Sequence, residues 1–278
     1  MTIFHTTLLI FAGACTAGLL GALTGLGGGA VIVPLLTLVF GVDIRYAVGA
    51  SLVSVIATSS GAAAAYVKEG FTNIRVGMLL EVATTVGALT GALIAALIAP
   101  KVIAIIFGFV LLHAAWQSTR PRVEHISGGP PDPLATRFRL DSTYPTPEGP
   151  QHYQVQHVPI GFGLMYIAGV LSGLLGIGSG IVKVLAMDQA MHLPFKVSTT
   201  TSNFMIGVTA AASAGVYLHR GYIAPGLALP VMLGVLAGAL SGARMLPHIH
   251  TRKLRLLFSV IVVVAAVEML YNGFAGRI

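Results

Sequence analysis

The sequence predicts an all-α polytopic membrane protein. It is built as two inverted repeats of about five hydrophobic segments each, about 8–10 spans in total, with one short broken helix per repeat. Three observations predict this. Of the 278 residues, 55% are hydrophobic and only 9% charged, with a mean hydropathy of +0.87; a soluble domain carries roughly 25% charged residues. The hydrophobic residues gather in long apolar runs. One half of the chain also aligns on the other, without a gap, at a shift of 151 positions.

Ten apolar runs can be marked, at 3–25, 29–41, 46–66, 74–98 and 101–118, then 158–177, 181–191, 196–218, 223–247 and 253–272. Most reach the ~20 residues that cross a bilayer. The second and seventh are too short, and are expected to cross incompletely or to pack among other helices. Met1 to Ala14 holds no Lys or Arg, so the first run lacks the basic start of a cleaved signal and is read as a retained helix. These runs divide the chain into a first transmembrane repeat (1–118), a cytoplasmic loop (119–157) and a second transmembrane repeat (158–278). The loop is rich in proline and is expected to pair Arg137–Tyr144 with Gln151–Val158 in a small hairpin across Pro147-Glu148-Gly149-Pro150.

The shift of 151 sets Gly25-Leu26-Gly27-Gly28-Gly29 on Gly176-Ile177-Gly178-Ser179-Gly180. It also sets Ser51, Thr58, Tyr66 and Gly70 on Ser202, Thr209, Tyr217 and Gly221. Glycines kept in phase over so long a stretch mark an internal duplication. Five segments per copy is odd, so the copies are expected to enter the membrane in opposite senses. With the N-terminus outside, the inner loops hold Lys68, Arg75, Arg120, Arg122, Arg137, Arg139, Lys196, Arg252, Lys253 and Arg255. The outer side keeps Arg45, Lys101, Arg220 and Arg277, as the positive-inside rule requires. An eight-span arrangement, with the short segments not crossing, distributes the charge less one-sidedly.

The net charge of +7 does not point to nucleic acid, because the basic residues sit mainly in connections between apolar runs. A single Cys15 excludes a disulfide scaffold and a cysteine zinc cluster. No metal site is expected, since His125, His152 and His157 are irregularly spaced and lack a partnering carboxylate. No cofactor and no enzymatic site are expected either, for want of a nucleophile–base pair. Gly25-x-Gly27-x-x-Ala30 matches a dinucleotide fingerprint only on paper, lying between membrane segments instead of between a strand and a helix.

The doubled glycines are read instead as helix breaks, which membrane depth tolerates only where backbone is buried in protein or lines a cavity. Paired breaks in transporters commonly meet at the midplane and present helix N-termini to anions. Gly87/Gly91 and Gly234/Gly238/Gly242 are read as close-packing ridges. Ionisable residues within the runs point to chemistry. Glu81 and Asp188 are candidate proton-coupling groups, and Lys183, three residues after the second break, is the candidate anion-binding charge. Its alternative role is an ion pair with Asp188 or Glu81. Ser198-Thr199-Thr200-Thr201-Ser202-Asn203 offers hydrogen-bond donors, where the first copy keeps Ser51. The candidate substrate site is therefore Gly27, Gly28, Gly29, Ser51, Gly178, Ser179, Gly180, Lys183, Thr201, Ser202 and Asn203.

The glycine run with Pro34, its second copy, and Thr201-Ser202-Asn203-Phe204-Met205-Ile206-Gly207 resemble the TauE/SafE family of sulfite and sulfonate exporters. The likeness covers both repeats. Ser179 and Leu185 stand where many members have a glycine and a proline, so a softer second break is expected. The resemblance implies a secondary transporter of small sulfur-containing anions, such as sulfite, sulfoacetate or other sulfonates, in the plasma or inner membrane. The expected partners are the anion, the lipid bilayer and a second copy of the chain in a homodimer. A channel-like anion pore and a proton-coupled uptake permease are the alternatives. Export is the expected direction, because an inside-negative potential favours expelling an anion by about 2.3 kcal/mol per charge per 100 mV.

Overall fold

The computed structural model describes residues 3–24, 28–68, 70–119, 132–146, 149–245 and 251–277. Helices α1 (Ile3–Thr24), α3 (Ile44–Lys68), α4 (Ile74–Leu97) and α5 (Pro100–Thr119) precede the loop, and α7 (Val158–Leu175), α9 (Phe195–His219), α10 (Pro225–Met245) and α11 (Thr251–Phe274) follow it. Between α1 and α3 lies short helix α2 (Gly29–Pro34), which widens into a π turn at Leu35–Val39. Between α7 and α9 lies α8 (Gly180–Leu185), which widens at Ala186–Ala190. All ten expected segments are present. Four helices among the described residues are long and apolar enough to cross a membrane: Ile74–Leu97, Pro100–Gln117, Val158–Leu175 and Pro225–Gly242. Their outer faces expose apolar side chains such as Met78, Val82, Val86 and Leu93, as a lipid-facing surface does and a water-facing one rarely does. The chain is a multi-pass membrane protein.

The π turns fall at matching positions of the two copies. Pro34 lacks the N–H that would bond back into its helix, but Leu185 stands in its place in the second copy and the widening is the same. Proline is therefore not its cause. Each short unit rises about 16 Å at 1.5 Å per residue, half the ~30 Å hydrocarbon core.

Glycine makes the tightest packing. On α7, a Cβ at Gly169 would stand 2.2 Å from the Thr84 carbonyl oxygen of α4, and one at Gly173 only 2.0 Å from that of Ala88. On α10, Gly234 and Gly238 meet the carbonyls of Phe11 and Cys15 on α1 in the same way. Backbones this close are what small-residue ridges allow, and the residue order makes both pairs parallel. The contacts are two-fold in pattern: α1 with α10 answers α7 with α4, α3 with α10 answers α9 with α4, and α3 meets α9 and α5 meets α11.

These pairings separate two ends of the bundle. At one end, α4 begins beside the loop, with the Asn73 amide donating to the Leu140 carbonyl and the Tyr153 hydroxyl at 2.8 Å each. The Gln156 N–H donates to the Met191 carbonyl, bringing the start of α7 to the exit of α8. At the other end α4 finishes, and Arg45 donates to the Ile98 carbonyl at 2.8 Å while its guanidinium lies over the Tyr222 ring. That end also holds the exit of α2 and the start of α10.

The loop itself corrects the sequence reading. Strands β1 (Ser142–Thr146) and β2 (Gly149–Tyr153) pair antiparallel, from Ser142 with Tyr153 to Thr146 with Gly149. The first strand starts five residues later than expected because Asp132 and Pro133 nucleate helix α6 (Pro133–Phe138). Asp132 accepts from the Leu134 N–H at 2.8 Å, and Arg139 closes the helix in the left-handed region at φ 51°. The second strand ends early because Asp141 accepts from the Val155 N–H at 2.8 Å and turns the chain toward α7. Ala135, Leu140, Tyr153 and Val155 of this cap share a buried core with Val76 and Leu80 of α4 and Met187 and Met191 after α8.

Candidate functional site

The two helix breaks meet. Gly29 is buried against Gly176 and Ile177: a Cβ there would stand 3.1 Å from both the Gly176 oxygen and the Ile177 Cα. Ser51 of α3 donates to the Gly176 carbonyl at 2.7 Å, satisfying a carbonyl that the end of α7 leaves free. Gly176 and Gly178 turn the chain at φ 67° and 69°, conformations open to glycine without a Cβ penalty. Ser179 follows at φ 46°, so the position that departs from the family pattern still makes the left-handed turn. Ser202 donates to the Gly180 carbonyl at 3.3 Å. Gly29, Ser51, Gly178, Ser179, Gly180 and Ser202 thus form one cluster between α3, α8 and α9, while Gly28 faces Val235 of α10 and Gly18 of α1. Gly27 lies outside the described residues.

Lys183 follows one helical turn beyond. It is fully buried, with 0% of its surface exposed, and its ammonium donates to the Thr209 hydroxyl of α9 at 2.5 Å. The Thr209 hydroxyl is within 2.7 Å of Oε1 of Glu81 on α4, to which it donates. Thr85 donates to the same oxygen at 3.2 Å. One lysine and one carboxylate are therefore linked through a single threonine. The other carboxylate oxygen, Oε2, is buried without a hydrogen-bond partner among the described residues, and so is Oγ of Ser179.

Burying charge is costly unless it is paired and its remaining valences are filled. Lys183 has three donors and Thr209 takes one; a carboxylate has about four acceptor positions, and Oε2 fills none. The pair is neutral overall and incompletely satisfied. The counterpart positions at the 151-residue shift are apolar: Ile32 of the first copy, fully buried, stands for Lys183 of the second, and Met232 of the second copy for Glu81 of the first. Thr58, the counterpart of Thr209, bonds back to the Ser54 carbonyl of its own helix at 3.0 Å.

Other sequence candidates lie apart. Thr201, fully buried, accepts from the Asn73 N–H at 3.0 Å and so ties α9 to the start of α4 below the cap. Thr200 does similar work, donating to the Phe71 carbonyl at 3.1 Å. Asn203 is half-buried on α9. Asp188 is half-buried on the π turn after α8, while the hydrogen bond of Lys183 goes to Thr209. Thr209 and Thr85 were not among the sequence candidates. The available signal was the match of Thr58 with Thr209, but a threonine in a membrane helix usually bonds its own backbone.

The cavity beside the second break is lined by Ile177, Ser179, Gly180 and Val182 with Ala30 and His113, and has room for about one water molecule. The breaks are closed on each other. No group of three or more His, Cys, Asp or Glu able to hold a metal occurs among the described residues.

Comparison with known proteins agrees with this architecture. The chain is 26% identical over 265 residues to the probable membrane transporter protein YunE of Bacillus subtilis (strain 168), covering 92% of this chain and 94% of that one. It is 25% identical over 228 residues to YdhB of the same organism, covering 82% and 85%. To the probable membrane transporter protein MJ0441 of Methanocaldococcus jannaschii it is 26% identical over 272 residues, covering 91% of each. No solved structure matches. The model of the sulfite exporter TauE/SafE family matches residues 9–269, and with nearly the whole chain inside that match, the chain belongs to this family of membrane transporters.

Proposed function

We propose that the chain is a secondary transporter of small sulfur-containing anions, such as sulfite, sulfoacetate or other sulfonates. It works by alternating access between two inverted repeats in the plasma or inner membrane. The observation that carries this reading is Lys183, a fully buried cation beside the meeting point of the two breaks. An isolated lysine at the centre of a membrane helix costs roughly 2.5–3.5 kcal/mol, and two of its N–H groups have no partner among the described residues. The opposite entry of the two hairpins supports the inversion: α1–α2 starts and finishes at the Arg45 end, α7–α8 at the cap end, and their tips touch. The narrow cavity corresponds to a closed state, which rocking of one hairpin pair against the other would open to either side in turn.

The family name supplies the sulfur, and the charge supplies the preference for an anion. The test is thermal stabilisation of purified protein by sulfite, sulfoacetate, ethanesulfonate, thiosulfate and carboxylates, since a ligand of the native state stabilises it by RT ln(1 + [L]/Kd). Lys183→Met is expected to weaken anion binding roughly ten- to a hundredfold, the worth of a charge-assisted hydrogen bond. Unchanged binding in that variant places the anion elsewhere. Counterflow in proteoliposomes separates a carrier from an anion pore, which shows none.

Direction divides two readings. The membrane potential alone favours export of a permanent anion. The hydrogen bond from Thr209 to Glu81 favours the second reading, a permease in which protons move with the anion.

A further inference from the structure

We infer that Glu81 is an internal stand-in for the transported anion: it occupies Lys183, through Thr209, when the site is empty, and takes up one proton when an anion displaces it. This rests on the transporter reading above and adds the coupling step to it.

The argument starts from valence. Thr209 holds one hydroxyl hydrogen and can donate it to the Glu81 carboxylate or to the Met205 carbonyl of its own helix, which lies at 3.0 Å. It therefore has a second position ready if Glu81 leaves. Lys183 has donors to spare, and Glu81 Oε2 is a buried acceptor without a partner among the described residues. A pair kept for packing would fill these valences, because a half-satisfied buried network is worse than an apolar one. The equivalent positions hold Ile32 in the first copy and Met232 in the second instead.

An anion arriving at Lys183 competes for the charge that keeps Glu81 ionised. Its oxygens accept the ammonium N–H groups, and the carboxylate is left in an apolar surround with hydroxyl partners only. Removing the partner of a buried charge is strongly unfavourable, and the carboxylate relieves it by binding one proton from water on the open side. When the anion departs, that proton is released and Glu81 returns to Thr209. Proton and anion are thus bound together and released together.

Other titratable and charged groups lie on the packed elements. Arg75 on α4, Tyr166 on α7, and Lys196 and His219 on α9 are exposed, Tyr217 donates to the Gly173 carbonyl, and Asp188 lies on the π turn after α8. The Glu81 carboxylate accepts from Thr85 and Thr209, with the Thr84 hydroxyl beside it, and Lys183 is the charge that reaches it through Thr209.

The probes are ethanesulfonate and sulfoacetate, which stay fully ionised through neutral pH, so that any proton taken up belongs to the protein. Titration calorimetry of the parent in two buffers of different ionisation enthalpy is expected to show about one proton taken up per anion bound. Affinity should then fall about tenfold per unit of rising pH, the slope of one linked proton. Glu81→Gln should bind more tightly, take up no proton and lose the pH slope. Binding by the parent with no proton uptake and a flat pH profile overturns this inference and leaves the transporter reading intact. Failure of every anion to bind the parent overturns the transporter reading, and this inference with it. The parent measurement alone decides between these, whether or not Glu81→Gln folds.

Discussion

Breaking the Lys183–Glu81 pair one side at a time gives a sharp test of the geometry. The two hydrogen bonds, of 2.5 and 2.7 Å, hold the ammonium and the carboxylate within about 5 Å of each other. At an effective dielectric constant of 20, two unit charges at that separation attract by about 3 kcal/mol. Lys183→Met removes the cation but strands Glu81; Glu81→Gln keeps the shape and strands Lys183. Each single variant should therefore lose about 3 kcal/mol, within reach of the 3–5 kcal/mol typical of a broken buried pair. The double variant should lose far less than the two losses together, because neither charge remains. For a chain of this size that is an apparent melting shift of roughly 6–12 °C for each single variant. Thermal unfolding in one detergent at a fixed scan rate reads it. From sequence alone, Lys183→Met would be expected to be tolerated, as the removal of an isolated membrane charge; the structure reverses that expectation. Strict additivity of the two losses would mean that the groups do not interact, and would refute the reasoning.

Two glycines of α7 make a matched pair. Gly169→Ala should destabilise by about 1–3 kcal/mol, since its Cβ would meet the Thr84 carbonyl at 2.2 Å, while Gly163→Ala, with nothing within 4 Å, should stabilise by about 0.5–1 kcal/mol; equal melting shifts in the two would show that α4 and α7 do not touch there. The cap should loosen at high pH. Burial pushes the Tyr153 hydroxyl up to about 12 against a hydrogen bond from Asn73 that lowers it. Its contribution is then complete below pH 10 and is lost as pH rises toward 12, which protease nicking of the 132–157 segment would report, with Tyr153→Phe lacking the step. In a Cys15→Ser background, a single cysteine at Ser142 should resist labelling from outside intact cells while one at Arg277 is labelled; the reverse pattern would invert the orientation.

Much of the scaffold was legible because a membrane imposes its own regularity on sequence. Apolar length marks a helix where water is absent, and the in-phase glycines carried over directly into the breaks, the α1–α10 and α4–α7 contacts and the paired π turns. The hairpin was legible from Pro147 to Pro150, but its edges were not, because Asp132-Pro133 is a helix start that the alternation downstream masked. The site was legible in part for a different reason. Lys183 and Glu81 could be suspected from cost alone, as charges in apolar runs. Their connection could not, since Thr209 lies 26 residues from one and 128 from the other and periodicity says nothing of such a distance. The polar run 198–203 divides between two places. Its residue types suit an anion, but Thr200 and Thr201 spend their hydroxyls on the loop before α4, and only Ser202 reaches the break.

The asymmetry of the two copies bears on what the charged pair is for. A duplicated scaffold that places Ile32, Thr58 and Met232 at the equivalent positions has no structural need for Lys183, Thr209 and Glu81. Replacing a buried pair with apolar residues of similar size is often neutral or stabilising by 1–4 kcal/mol, so the pair is kept at a cost that packing does not explain. The proposed carrier supplies a reason. Its binding charge has to be presented to both sides, so one lysine near the point where both hairpins end serves both, and a second in the other copy would add only repulsion. That lysine must also be neutralised on the return journey, when no anion is bound. A carboxylate on α4, which packs against α7 and α9 and not against its own copy's break, can do this without blocking the cluster of Gly29, Gly176 and Ser51. The position of Glu81 on α4, packed against α7 and α9, thus fits the proposed carrier in its empty state.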